Sequence, residues 1–146
     1  MDSASQNVVR ALTAFNDTVS QLRSFGYDLY LQTGAHSWTN PLGITLYGGG
    51  DGLTFGCSIW QDGTGNRWIG FEIHVTWDVD HWLVRAHVDD EDDSRDPTTV
   101  GLWQSPQLRA VTLDELIDCL QRTMNSAKSS VRDDRIATYL AKIERR

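Results

Sequence analysis

The chain has 146 residues, 40% of them apolar and 23% charged, and a formal net charge of −7. That length is read as a single α+β domain over residues 1–146 with room for a proper core. The acidity excludes direct nucleic-acid binding and attraction to anionic membranes, both of which need a basic surface, and it points to a basic protein partner.

No stretch approaches the ~18 apolar residues of a membrane-spanning helix. The opening segment from Met1 to Asn7 has neither the basic nor the apolar region of a secretory signal. Cys57 and Cys119 show no framework spacing, so two buried reduced thiols are expected, which suits a cytoplasmic protein. Spacing alone leaves a disulfide between them open.

A first helix is predicted from about Ser5 to Phe25. Val8, Leu12, Phe15, Val19 and Leu22 recur at spacings of four and three, and Gly26 is its stop. Tyr27, Leu29 and Leu31 alternate with Asp28, Tyr30 and Gln32 and read as a half-buried strand. Residues 33–41 read as a loop, and Gly43 to Tyr47 as a short strand ended by the glycines of 48–52.

Three strands follow, near 53–61, 67–78 and 81–88. If Gln61 faces Arg67, then Ile59, Cys57, Phe55 and Leu53 face Ile69, Phe71, Ile73 and Val75. If Asp78 faces His81, then Trp77, Val75, Ile73 and Phe71 face Trp82, Val84, Ala86 and Val88. Both hairpins turn the same middle-strand residues inward, and a one-residue slip would mix the faces. The acidic run 89–96 is read as a loop. It holds six carboxylates and one arginine, −5 of the total charge.

Thr99 to Trp103 adds a short strand, with Ser105-Pro106 as punctuation. Thr112 and Glu115 match a capping box, opening a helix with Leu113, Leu116, Ile117, Leu120 and Met124 on one face. The serines of 126–130 weaken it, and a last helix is expected from Val131 to Glu144. The predicted architecture is an N-terminal helix, an antiparallel meander of about five strands and two C-terminal helices, with the helices packed on one sheet face.

The outer face of the central strands carries Trp60, Trp68, Glu72, His74, Arg85 and His87. His74 faces Arg85, and Glu72 faces His87. As chemistry, histidine is a base and arginine an anion holder. As a metal site, Glu72, His74 and His87 supply three ligands. As structure, they are cross-strand polar pairs on a solvated face. The structural reading is preferred because a flat face lacks concavity, so no catalytic residue, metal or cofactor is expected. The glycines of 48–52 lack the lysine and helix of a phosphate loop, and the acidic run lacks the spacing of a calcium loop.

Trp60 and Trp68 are predicted to face each other beside Gly56 and Gly70, as apolar anchors for another chain. Asp89, Asp90, Glu91, Asp92 and Asp93 are the docking charges. In size, acidity, α+β build and lack of catalytic motifs, the chain resembles immunity proteins of bacterial toxin systems and dedicated secretion chaperones. The resemblance covers bulk properties and carries over no residue. It implies a small antagonist that neutralises a basic toxin or effector. The alternatives are a secretion or assembly chaperone, for which a homodimer is compatible, and a small enzyme using the histidine, arginine and glutamate grid.

Overall fold

A hairpin of two long strands sets the architecture. In the computed structural model, β3 (Arg67–Asp78) and β4 (His81–Asp92) pair along their whole length. The structure describes residues 3–33, 43–46, 52–61, 64, 66–94, 97–132, 138–139 and 142. Around the hairpin stand α1 (Ser3–Thr33), β1 (Gly43–Leu46), β2 (Gly52–Gln61), β5 (Thr98–Gln104), β6 (Leu108–Ala110) and α2 (Leu113–Arg132). The fold is α+β, and its sheet is antiparallel in the order β1-β2-β3-β4-β5, with β6 also paired to β4. Among the described residues, no helix is long and apolar enough to cross a membrane.

Every predicted β3–β4 pair is present, from Asp78↔His81 to Phe71↔Val88. The pairing then continues where a loop was expected: Gly70↔Asp89, Ile69↔Asp90, Trp68↔Glu91 and Arg67↔Asp92. The acidic residues 89–92 are therefore strand. They are held on their other side by β5, through Asp89↔Gly101 to Asp92↔Thr98.

Between β2 and β3, the predicted pairs Leu53↔Val75, Phe55↔Ile73 and Cys57↔Phe71 form. A bulge between Ser58 and Trp60 then shifts the register, giving Trp60↔Ile69 and Gln61↔Trp68. At the start of β2, a Cβ on Gly52 would run into the Val75 carbonyl, so only glycine fits that approach.

β5 and β6 form one broken edge on β4. Ser105 closes the break: its backbone N–H donates to Ala86 O at 2.8 Å, and its hydroxyl accepts from Ala86 N–H at 2.7 Å. The same hydroxyl donates to Pro106 O. Ala86 thus keeps both ladder bonds opposite a proline-bearing corner that cannot continue the strand.

Ile69, Phe71, Ile73 and Val75 of β3 bury one face together with Val84, Ala86 and Val88 of β4. Leu116, Cys119, Leu120, Met124 and Ala127 of α2 join the same core. Thr112 caps α2 as predicted, accepting from Glu115 N at 3.2 Å, while Glu115 reaches back one residue further, to Val111 N at 2.7 Å. The helix does not weaken at the serines but runs to Arg132. Ser130 is buried, and its hydroxyl donates to Ala127 O within the helix. Of the expected last helix, Thr138, Tyr139 and Lys142 are helical, and most of the remainder lies outside the described residues.

α1 packs with α2 and β2. Arg10 pairs with Asp114, and Gln21 with Gln121 and Lys128, so the two helices run in the same direction. Its inward line is Ala14, Phe15 and Thr18, whereas Val8 and Leu12 of the predicted stripe are exposed. The strand expected at Tyr27–Gln32 is instead the end of α1, which passes through Gly26. Extending a formed helix adds one bond per residue fixed, and this outweighs the ~1 kcal/mol cost of one glycine. The loop expected at 33–41 and the glycines 48–50 lie almost wholly outside the described residues.

Candidate functional site

The outer face of β3 and β4 collects the polar residues because their positions alternate with the core. Glu72 and His74 stand two residues apart on β3, and β4 places His87 opposite Glu72 and Arg85 opposite His74. On β2, Thr54 lies opposite His74 and Gly56 opposite Glu72. A Cβ at Gly56 would press on Glu72 Cγ at 3.2 Å, so this glycine leaves Glu72 its place over the sheet.

The side chains converge more tightly than register alone requires. Glu72 Oε2 lies 3.2 Å from His74 Nε2 and 3.5 Å from His87 Nε2. The two Nε2 atoms are 2.6 Å apart. The rings lie 11° from parallel with centroids 4.8 Å apart, so the nitrogens meet nearly head on. Each outer nitrogen also has a neighbour. His74 Nδ1 is 3.0 Å from Thr54 Oγ1. His87 Nδ1, buried, is 2.6 Å from Asp89 Oδ2, a close charge contact off the ideal hydrogen-bond line.

Hydrogen bonds from His74 and then His87 bring the Glu72 carboxyl down to about 2. The hydrogen bond to Glu72 raises His87 against the opposing effect of burial, and the charge of Asp89 adds to it. The expected flat face is not what forms. Beside the cluster lies an open recess of about 470 Å³, lined by Arg85, His87, Asp89 and residues 101–104. The bulge between Val88 and Asp89 opens the β4–β5 ladder there.

The acidic residues divide between the two faces. Asp90 points to the core side and is 4% exposed. Arg67 donates to it through Nε at 3.0 Å and Nη2 at 2.6 Å, and the Tyr139 hydroxyl donates to Oδ2. Burial alone would raise this carboxyl, but those bonds hold it below the usual carboxylate range. Asp92 accepts from Ser94 N and Oγ in a turn. Asp89 and Glu91 stand on the outer face with Glu72. The Glu91 carboxyl is pushed up, first by partial burial and then by the charges of Glu72, Asp89 and Asp93.

The predicted facing of Trp60 and Trp68 does not occur. The bulge sets Trp60 opposite core residue Ile69, and Trp68 lies between Gln61 and Glu91, half-buried. The Trp60 side chain is outside the described residues. Residue types do not reveal two neighbours of the cluster: Asp89, expected in a loop, backs His87 from β4, and Thr54 of β2 meets His74. The signal for Asp89 was the length of β3, since a strand beginning at Arg67 needs a partner reaching Asp92. No family model matches the chain, and no curated protein or solved structure matches it significantly, so function must be argued from the chemistry of this face.

Proposed function

We propose that the chain is a small partner-binding protein that presents the outer face of β3 and β4 to a basic protein, as an immunity-type antagonist acting in the cytoplasm. The observation that carries this reading is the crowding of Glu72, Asp89, Glu91 and Asp93 beside Trp68. Like charges held this close repel, and a lysine or arginine from a partner relieves that repulsion. Trp68 supplies apolar area at the same place. Among the described residues the helices pack on the opposite face, which leaves this side for a partner. Asp90 and Asp92 drop out of the docking set, since Arg67, Tyr139 and Ser94 already engage them.

The test is surface-plasmon kinetics against the basic protein recovered from the host, at low and high salt. Charge acts over about 8 Å at physiological salt, so it governs encounter. Glu91→Gln with Asp93→Asn is expected to slow association and flatten its salt dependence. Trp68→Ala is expected to speed dissociation by about 2 kcal/mol. Recovery of no basic protein, or variants that bind like the parent at both salts, overturns the reading.

The chaperone alternative has one observation in its favour. Val8, Val9 and Leu12 are 59%, 49% and 63% exposed on α1, an apolar stretch suited to a second copy. Sedimentation separates the two. The antagonist is expected to be a monomer, and the chaperone a dimer that Leu12→Asp dissociates.

A further inference from the structure

We propose that Glu72, His74 and His87 form a binding site for one divalent transition-metal ion of the zinc class, with Asp89 and Thr54 as its outer supports. The inference does not depend on the partner-binding reading. Three ligand atoms, one from each residue, lie within 4.8 Å of one another. Zinc bound tetrahedrally by nitrogen and oxygen at about 2.0–2.2 Å spaces its ligand atoms about 3.3 Å apart. The two Glu72–histidine separations, 3.2 and 3.5 Å, match that spacing.

The histidine pair at 2.6 Å is closer and must part by several tenths of an ångström. Room for that exists, because the side chains of His74, His87 and Glu72 are 18%, 21% and 35% exposed. Without an ion, only one proton fits between the two Nε2 atoms. A divalent cation satisfies both imidazoles and the carboxylate together. Two imidazoles with one carboxylate favour zinc or its borderline neighbours over magnesium or calcium, which prefer oxygen shells.

The supports point the same way. A metal-bound imidazole usually engages a carboxylate, carbonyl or water through its other nitrogen, which fixes the ring and its tautomer. Asp89 Oδ2 stands 2.6 Å from that nitrogen of His87, off the hydrogen-bond line and within a small ring rotation of it, and Thr54 offers a hydroxyl at His74. Two cross-strand histidines that only faced water would need neither. Three protein ligands leave a coordination position open on the solvent side, beside the recess lined by Arg85 and Asp89.

The experiment uses tag-free full-length protein, stripped with a chelator and titrated with zinc in a calorimeter and with cobalt in an absorption spectrometer. One ion per chain is expected, with the strong visible bands of tetrahedral cobalt. His74→Ala and His87→Ala are each expected to abolish the one-to-one step. Asp89→Asn, which keeps all three ligands, should weaken binding about 10- to 100-fold. Circular dichroism checks that each variant folds, and the near-isosteric Glu72→Gln tests the carboxylate if an alanine variant does not. Absence of saturable binding near one equivalent in the parent overturns the site and leaves a proton-sharing histidine pair. So does an affinity unchanged in the folded ligand variants.

Discussion

On its inner face, the β3–β4 hairpin carries Ile69, Phe71, Ile73, Val75, Val84, Ala86 and Val88, all essentially without solvent contact. On the outer face of the same strands, Glu72, His74, His87 and Asp89 are half-buried and touch one another through charged or polar atoms. One register makes both faces, yet their energetics differ. The inner face is stabilised by apolar area and shape, which respond little to pH or ions. The outer face depends on protons, counter-charges and salt. Asp90 is the exception that clarifies the rule. It is a carboxylate on the inner side, and it stays there because Arg67 and Tyr139 satisfy it.

The contrast fails if truncation costs the same on both faces. Phe71 is fully buried and stacks on Trp103 at 6.3 Å. Phe71→Ala is expected to cost about 3–5 kcal/mol in urea unfolding. Glu72→Ala, one ladder position from Phe71 but on the opposite face, should cost far less. A Glu72 variant as damaging as the Phe71 variant would mean that the outer cluster holds the sheet together. Next in size is Ser105→Ala, which strips the partner from Ala86 N–H inside the core edge. A buried donor left unsatisfied costs about 1–3 kcal/mol. Hydrogen exchange should show the Ala86 amide opening faster, and an unchanged amide would mean that water replaces the hydroxyl.

The inner face was legible in the sequence because a period of two and a two-residue turn leave a single consistent pairing for 71–78 against 81–88. The same arithmetic ran on to Arg67 and Asp92. Acidic composition there resembles a loop, and the strand is visible only when its partners are counted: β3 on one side, β5 on the other. The bulge at Ser58–Trp60 left no mark in residue types, so the predicted tryptophan pair was off by one position. The tail of α1 failed for a different reason. Six residues of apolar alternation, with Tyr30 breaking the pattern, do not outweigh a helix already formed. At the site, residue types identified Glu72, His74, Arg85 and His87. The convergence of Nε2 and Oε2 atoms, and the support from Asp89, depend on rotamers and on strand length.

A smaller effect separates the faces by pH. Glu72 falls from its ordinary 4.5 to about 2, so its contribution is present above about pH 4.5 and is lost as pH falls through about 2. His87 is raised above 6.5, so its contribution is full below 6.5 and is lost as pH rises through the folded value. Both are present between about pH 4.5 and 6.5. With a chelator present, the parent's Tm is expected to fall between about pH 5.5 and pH 8 by more than that of Glu72→Gln. Parallel profiles for the two proteins would show that the cluster does not couple to folding.

The smallest effect concerns the turn that assigns residues to faces. Asp78 pairs with His81 across Val79 and Asp80, with Asp80 N–H donating to Asp78 O at 2.6 Å. Val79 sits at φ 58° and is 88% exposed. A β-branched side chain is strained in that left-handed region, and here it has no core contact to compensate. Asparagine adopts the conformation readily and frees the unfolded chain less than glycine does. Val79→Asn is therefore expected to stabilise the protein by about 1 kcal/mol in urea unfolding, with unchanged β3–β4 cross-strand contacts by NMR. A variant no more stable than the parent would mean that the turn holds Val79 at this φ without strain.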